Sequence, residues 1–315
     1  MRLFDMHCDT ALSLYETGAP LRHNDLNISL ERSFSFGKYV QLTAIYTPST
    51  LTDEDGWEQM YRVYNNLVNE CEKNDVPLIR TAEDLTEFDS SAEHTAFILT
   101  VEDARILNNK PGRVGELYDL GVRVITPLWG GDTCIGGSHD TEHGLAGFGR
   151  DAVREMLRLG IIPDISHASF KSADDIMNIC ESAGKPPVAT HMNSYTVRNH
   201  SRNLTDSRFL RLVSLGGIAG VSLCPYHLTD RPKTASSADV LAHIAHYESL
   251  AAGYTALGCD YDGTIPPADL SEISALPQMA SVMKNSGITD SVINSVFWDA
   301  AYNFMKNNLP TRQMQ

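Results

Sequence analysis

The chain has 315 residues, of which 42% are hydrophobic and 21% charged, and its formal net charge at pH 7 is −15. This profile is typical of a globular protein with a large core, and the negative charge argues against a nucleic-acid partner, which needs clustered Lys and Arg. The chain shows no apolar leader and no run of membrane-spanning length, so we expect a cytoplasmic protein without a membrane partner.

Short β-branched and apolar runs alternate with amphipathic stretches along the whole chain. The predicted strands are 2–7, 38–47, 96–101, 122–128, 160–166, 187–190, 217–223 and 255–259. The predicted helices are 10–16, 53–74, 113–120, 150–159, 169–183, 206–214, 238–252, 270–285 and 289–307. Strands that alternate with helices in this way predict the α/β class and a (β/α)8 or TIM barrel. Because no linker-like segment divides the chain, we predict one barrel domain over residues 1–315.

Metal-ligating types of side chain stand at the carboxyl ends of most predicted strands. In chain order they are His7 with Asp9, Glu102, His167, His191 and Asp260. The carboxyl ends of the strands form one face of a barrel, and barrel active sites are built there. We therefore expect these side chains to converge. Strict alternation along the first strand also predicts that His7 and Asp9 point to one side, and Met6 and Cys8 to the other.

Imidazole and carboxylate ligands together favour a divalent transition metal, with zinc first and manganese or cobalt as alternatives. The five ligands that precede Asp260 suffice for two ions, with Glu102 as the bridge. Two ions a few ångströms apart hold a shared hydroxide and polarise a carbonyl. Asp260 is placed to act as general base and acid for the proton of that hydroxide. The six cysteines form no C-x-x-C pair, so we expect reduced thiols and no zinc ribbon.

Five strings of the chain resemble the membrane dipeptidase (renal dipeptidase, peptidase M19) family of the amidohydrolase superfamily, in its bacterial form. They run in the family's order and cover nearly the whole chain: Asp5-Met6-His7-Cys8-Asp9, Val101-Glu102, Asp164-Ile165-Ser166-His167, Thr190-His191 with Ser201-Arg202-Asn203, and Gly258-Cys259-Asp260-Tyr261-Asp262-Gly263. The resemblance implies a metal-dependent hydrolase barrel with two zinc ions. It also implies hydrolysis of dipeptides, including those with a D-residue at the C-terminal position.

The resemblance further assigns each zinc its ligands and gives the substrate its partners. One zinc falls to His7 and Asp9, the other to His167 and His191, and Glu102 bridges them. Arg202 would bind the terminal carboxylate of the dipeptide, for which a guanidinium fork is suited. Asp260 would shuttle the proton. Because members of the family are often dimers, a homodimer is a further expectation.

One residue departs from the mammalian pattern. Mammalian members carry a histidine at the end of strand four, where this chain has Trp129. An indole can donate one hydrogen bond but cannot carry a positive charge near neutral pH. We expect Trp129 to line the substrate pocket, where the departure bears on substrate range and oxyanion stabilisation.

Two other hypotheses about the function stay open. One is another amidohydrolase reaction, such as deacylation of N-acyl amino acids or opening of a β-lactam. The other is a metal-containing peptide-binding protein with weak catalysis, and the presence of Asp260 argues against it, because a binder needs no proton shuttle.

The remaining candidate residues have plainer interpretations. For His139, His143 and His227, near the mouth of the barrel, a role without substrate contact is favoured. His243 and His246 lie three residues apart on a predicted helix, where two histidines can share a metal. With no third ligand evident, we expect a solvated helix face instead. Asp262 is expected to structure its loop rather than to act as the acid and base.

Overall fold

The computed structural model describes residues 1–312. Within them, one curled sheet contains seven parallel strands in the order β5-β4-β3-β2-β1-β7-β6. The strands are β1 (Arg2–Cys8), β2 (Lys38–Tyr46), β3 (Thr95–Glu102), β4 (Val122–Thr126), β5 (Ile162–Pro163), β6 (Ala219–Val221) and β7 (Thr255–Leu257). All eight residues of β3 are buried, as expected for a parallel sheet covered on both faces.

The barrel closes between the edge strands β5 and β6, at a place that we call the seam. The prediction of a full sixth strand, 187–190, is wrong. Val188 forms a single parallel bridge with Asp164, and Ala189 forms one with Ala219 of β6. These two residues, 188–189, are the seam segment. It lies between the two edge strands and completes the ring as its eighth member. Pro163 and Pro187 lack an N–H group, which limits the ladder on this side. The predicted TIM-barrel type is thus confirmed, with single bridges in place of a full strand at the seam.

Helices surround the barrel and match most of the predicted positions. They are α1 (Thr10–Thr17), α2 (Leu30–Ser33), α3 (Asp53–Lys73), α4 (Ala82–Ser90), α5 (Gly112–Asp119), α6 (Gly147–Leu159), α7 (Phe170–Ala183), α8 (Asp206–Ser214), α9 (Pro225–Leu228), α10 (Ser237–Leu250), α11 (Leu276–Asn285), α12 (Asp290–Asn294) and α13 (Ala300–Asn308). The predicted helix 289–307 is interrupted by a π-helical turn, Ser295–Asp299. No helix in residues 1–312 combines the length and apolar character needed to cross a bilayer.

The helix α4 was not predicted, although the sequence carries its start signal. The Thr81 hydroxyl accepts a hydrogen bond from the Asp84 backbone N–H, and the Asp84 carboxylate accepts one from the Thr81 N–H. This reciprocal pair is a capping box, which satisfies two N–H groups that the first turn of a helix leaves free.

The barrel interior is apolar toward its amino-terminal end. Phe4, Met6, Val40 and Val124 belong to one buried cluster inside the ring. Trp298, from the π-helical turn, packs edge-on against Phe4 with ring centroids 5.8 Å apart and closes the amino-terminal end. Trp298 thus faces the core, and the open end of the barrel is the one that carries the candidate ligands.

A bulge in β1 corrects the prediction of strict side-chain alternation. The pairing of β1 with β2 shifts register between Asp5 and Cys8. Met6 lies in the interior cluster, whereas Cys8 lies in the outer cluster beneath the helices, so the two do not share a side. A bulge inserts one residue and re-aims the side chains beyond it. Beyond the bulge, His7 reaches the mouth of the barrel, where its Nε2 lies 3.7 Å from Glu102 Oε1.

Candidate metal centre

The Glu102 carboxylate stands at the centre of the site. Its Oε1 lies 3.0 Å from His167 Nε2, 3.3 Å from His191 Nε2 and 3.7 Å from His7 Nε2. Glu102 ends β3, and His7 is the last residue but one of β1. His167 and His191 follow β5 and the seam segment. The structure therefore brings together four residues that lie up to 184 positions apart in the numbering, from His7 to His191.

Two more carboxylates complete the group on the side of His7. His7 Nε2 lies 3.5 Å from Asp9 Oδ2 and 3.8 Å from Asp260 Oδ1. Two trios have ligand atoms within 4.8 Å of one another: His7 with Glu102 and His191, and His7 with Asp9 and Asp260. Asp260 thus stands among the candidate ligands, whereas sequence reasoning placed it only as an acid and base.

The donor atoms fit divalent metal ions. His7 Nε2, Asp9 Oδ1 and Glu102 Oε1 are buried and have no hydrogen-bond partner among residues 1–312. An unsatisfied buried polar atom costs about 1–3 kcal/mol, so such atoms rarely gather without a ligand. Nitrogen and oxygen donors in this combination are those that zinc takes in catalytic sites.

Backbone geometry turns two of these residues toward the centre. His167 and Asp260 have left-handed backbone conformations, with φ of 65° and 63°. Such conformations are unfavourable for residues other than glycine, and where they occur they often mark functional sites. The Asp260 N–H donates to the His7 carbonyl at 3.0 Å, and the Asp9 N–H donates to the Tyr261 carbonyl at 2.9 Å. These bonds fix the end of β1 against the segment that follows β7.

The pKa values of the site are set by burial and by the charges of its close neighbours. Burial lowers the pKa of His167 and of His191 well below the ordinary value, which keeps both imidazoles neutral. Burial opposes the charging of His7, but the Glu102, Asp9 and Asp260 carboxylates outweigh it and raise the pKa of His7 to about 10. Burial also raises the pKa of Asp260 to about 8. A divalent cation would balance the carboxylates.

Arg202 is buried beside this group without a partner. Its exposed fraction is 1%, and Nε, Nη1 and Nη2 have no hydrogen-bond partner within the described residues. Burial lowers its pKa, while the charges of Asp260 and Glu102 act in the opposite direction. The loop that carries it is held by the Asn203 side chain, which donates to the Arg198 and His227 carbonyls, each at 2.8 Å. The guanidinium is thus preformed for an anionic group.

Two aromatic side chains border the site, and sequence reasoning named one of them. The half-buried Trp129 lies with its ring centroid 6.1 Å from that of His167, and its carbonyl accepts a hydrogen bond from His167 Nδ1 at 2.9 Å. Tyr46, the last residue of β2, lies 5.2 Å from Trp129 between ring centroids. Tyr46 was missed, because only metal-ligating types of side chain were selected at strand ends and the predicted second strand runs one residue past it.

Three further histidines lie near the mouth, in different settings. The half-buried His139 has its ring centroid 6.0 Å from that of His167, and burial lowers its pKa to about 4. His227 lies 4.9 Å from His200 between ring centroids. His143 is exposed, and its Nδ1 lies 2.8 Å from Asp132. His143 therefore faces solvent, whereas His139 and His227 belong to a row of imidazole rings that continues from His167.

The interpretation of His243 as part of a solvated face is wrong. Its side chain is fully buried, its Nδ1 accepts from the Ser194 N–H at 3.0 Å, and its Nε2 donates to the Leu228 carbonyl at 2.9 Å. His246 is half-buried, with Nε2 2.8 Å from Asp206. The two histidines therefore anchor α10 to its neighbours.

The loop-structuring role predicted for Asp262 is confirmed. Its carboxylate accepts from the Thr10 hydroxyl and from the Asn27 N–H, each at 2.6 Å. These two bonds tie the loop that follows β7 to the start of α1 and to the segment before α2, so the side chain is used in holding the loop.

A curled parallel barrel that gathers imidazoles and carboxylates at its carboxyl mouth has the fold of the amidohydrolase type, in which active sites are built at this face. Residues 1–313 match the family model of the membrane dipeptidases, peptidase family M19, and the chain belongs to this family. The resemblance drawn from the sequence strings is therefore confirmed.

Solved structures share the fold across the whole chain. A metallopeptidase described as dipeptidase AC of family M19 has a TM-score of 0.90 at 24% identity, covering 98% of this chain and 99% of that one. A metallopeptidase from Rhodobacter sphaeroides, liganded with a phosphinate mimic of L-Ala-D-Ala, has a TM-score of 0.89 at 22% identity, with 98% and 99% covered.

The match to a relative found by sequence covers a smaller part of both chains than the matches to these structures. An uncharacterized dipeptidase of Schizosaccharomyces pombe is 28% identical over 211 residues, which make up 64% of this chain and 51% of that protein. The chain thus spans about half the length of this relative.

Proposed function

We propose that the protein is a zinc-dependent dipeptidase that accepts dipeptides with a D-residue at the C-terminal position. The observation that carries the proposal is the unpartnered, buried guanidinium of Arg202 beside the gathered ligand atoms of Glu102 and Asp260. Such a site combines a holder for a substrate carboxylate with a place for hydrolytic metal ions. The Rhodobacter sphaeroides relative, which was solved with a mimic of L-Ala-D-Ala, supports the stereochemical part.

Two zinc ions would be held by His7, Asp9, Glu102, His167 and His191, with Glu102 between them. When bound, the ions would supply a Lewis acid for the scissile carbonyl and a water nucleophile that is ionised near neutral pH. The neutral state of His167 and His191, which burial enforces, leaves their Nε2 atoms free as ligands.

Arg202 orients the substrate by binding its C-terminal carboxylate through two parallel N–H groups. This contact places the peptide bond toward Glu102 and Asp260 and favours short substrates with a free carboxylate. Trp129 and Tyr46 border the space above His167, where a substrate side chain would lie. Water is excluded on the Arg202 side, because the guanidinium is itself buried.

Asp260 moves the proton. Its Oδ1 lies 3.8 Å from His7 Nε2 and therefore faces the centre of the ligand group. The carboxylate takes a proton from the nucleophilic water and passes it to the amide nitrogen that leaves, as general base and then general acid. The left-handed backbone at Asp260 supports this assignment, because the strained conformation aims the side chain inward.

The domain assignment belongs to the same proposal. Residues 1–315 would form one barrel domain with its C-terminal helices, and Trp298 against Phe4 supports the inclusion of those helices in the barrel. The last residues of that range, 313–315, lie outside the described part of the chain.

A small substrate panel tests the function. The metal-free protein and the zinc-loaded protein are assayed with L-Ala-L-Ala, L-Ala-D-Ala and N-acetyl-L-alanine, beside His191→Ala. We expect zinc-dependent cleavage of both dipeptides, and its loss in the variant. Cleavage of N-acetyl-L-alanine alone would make the protein a deacylase. Absence of turnover with two zinc ions bound per chain would contradict the dipeptidase proposal.

A further inference from the structure

A chain of hydrogen bonds runs beneath the candidate metal centre and ends on His191. The Thr190 hydroxyl lies 2.5 Å from Asp164 Oδ2 and 2.8 Å from His191 Nδ1. Asp164 is 0% exposed, and Thr190 and His191 are each 1% exposed. Water therefore does not compete for these contacts, and their donors and acceptors must be matched within the protein.

The direction of each hydrogen bond follows from the number of donors around Asp164. Its Oδ1 accepts from the Ser166 N–H at 2.9 Å and from the Thr190 N–H at 3.0 Å. Its Oδ2 lies 2.7 Å from the Thr126 hydroxyl and 2.5 Å from the Thr190 hydroxyl. A carboxylate has only acceptors, so both hydroxyls donate to it.

This arrangement decides the tautomer of His191. A threonine hydroxyl has one hydrogen, and Thr190 uses it on Asp164, so its oxygen accepts from His191. His191 Nδ1 must then carry the proton, and Nε2 presents its lone pair toward Glu102 Oε1 at 3.3 Å. The Ser166 hydroxyl, at 3.4 Å from the Thr190 hydroxyl, is farther away and does not change this assignment.

The same hydrogen bonds cross the seam of the barrel. Within residues 1–312, Val188 forms a single bridge to Asp164, next to β5, and Ala189 forms a single bridge to Ala219 of β6. The Asp164 carboxylate links Thr126 at the end of β4 to Thr190, which directly follows the seam segment. These side-chain hydrogen bonds add to the backbone bonds on both sides of the seam segment and help to hold His191 in place.

We propose that Asp164 and Thr190 are positioning residues that fix His191 in its Nδ1–H tautomer and keep Nε2 free for a metal ion. The inference rests on the metal-ligand role proposed above for His191. His167 is oriented in a different way, because its Nδ1 donates to the Trp129 carbonyl at 2.9 Å. Loss of such a partner of a metal-bound histidine typically lowers metal affinity by about 10–100-fold.

Three variants separate positioning from simple stabilisation. Thr190→Val removes the hydroxyl at nearly constant volume, and Thr190→Ser restores it. Thr126→Val is the matched control, because Thr126 donates to the same Asp164 oxygen and its hydroxyl has no hydrogen bond to His191. The metal-free proteins are studied by ¹⁵N NMR of the histidine rings, and Zn²⁺ affinity is measured by competition with a chromophoric chelator.

We expect wild-type His191 in the Nδ1–H form and a loss of about 10–100-fold in Zn²⁺ affinity in Thr190→Val. Thr190→Ser should bind Zn²⁺ within a few-fold of wild type, and Thr126→Val should lose thermal stability but retain its affinity. An Nε2–H tautomer in wild-type protein, or equal affinity losses in Thr126→Val and Thr190→Val, would overturn the inference. The wild-type tautomer decides the matter even if a variant does not fold or zinc does not bind, and a failure of zinc to bind would count against the proposed function alone.

Discussion

Replacing the buried arginine of the site tests the proposed carboxylate contact in depth. Arg202→Met keeps the length of the side chain but removes its charge and all its donors. In the present structure those donors have no partner within residues 1–312, so a substrate carboxylate would be their main ligand. The perturbation therefore removes a binding contact while breaking few contacts within the protein.

The expected magnitude follows from the hydrogen bonds that a bidentate pair makes. Each hydrogen bond to a charged group contributes about 1.5–3 kcal/mol, and two of them give about 3–6 kcal/mol. At 1.4 kcal/mol per decade, a loss of about 4 kcal/mol lowers kcat/KM about 10³-fold. Because Arg202 is buried without hydrogen bonds, we expect the Tm of the zinc-loaded variant to equal or exceed that of wild type.

The assay compares two substrates in two proteins. We measure kcat/KM for L-Ala-L-Ala and for its C-terminal amide, which lacks the carboxylate, with wild type and with Arg202→Met. Wild type should prefer the acid by about 10³-fold, and the variant should lose most of this preference. Arg154→Met serves as a control, because Arg154 is exposed on α6 and pairs with Asp151. An equal preference for the acid in both proteins would refute the contact.

Three further predictions concern the proton shuttle Asp260, the close contact of Gly263 with Asp9, and the pH dependence of stability. Asp260→Asn should lower kcat about 10²–10⁴-fold because it removes a general acid and base, and an unchanged kcat in zinc-loaded protein would reject the role. Gly263→Ala should weaken Zn²⁺ binding, measured by chelator competition, because its Cβ would lie 2.1 Å from Asp9 Oδ2, whereas Gly115→Ala, with open space around it, should bind normally. Burial lowers the pKa of His243 from 6.5 to about 4, so the unfolded chain binds more protons in that interval. The free energy of unfolding should therefore decrease on acidification from pH 6.5 to 4, by on the order of 3 kcal/mol, and denaturant titrations of His243→Gln should lose this component.

The candidate ligands could be predicted from the sequence, because each of them stands at or just after the end of a predicted strand. Each follows a run of strand-forming residues, and parallel strands of a barrel present their carboxyl ends at one face. Glu102 and His191 could thus be predicted to meet without knowledge of any contact, and the structure places them 3.3 Å apart. Most helices were likewise predicted, since their apolar spacing is local information.

Tertiary structure decided the features that depend on packing between distant segments. The bulge in β1 separates Met6 from Cys8, although alternation within the strand predicted a shared side. His243 is buried by Leu228 and Ser194, which approach from other parts of the chain. The isolation of the Arg202 guanidinium and the hydrogen bonds from Asp164 to His191 arise in the same way. The types and order of the residues are properties of the sequence, whereas burial and side-chain direction depend on which neighbours the folded chain brings against them.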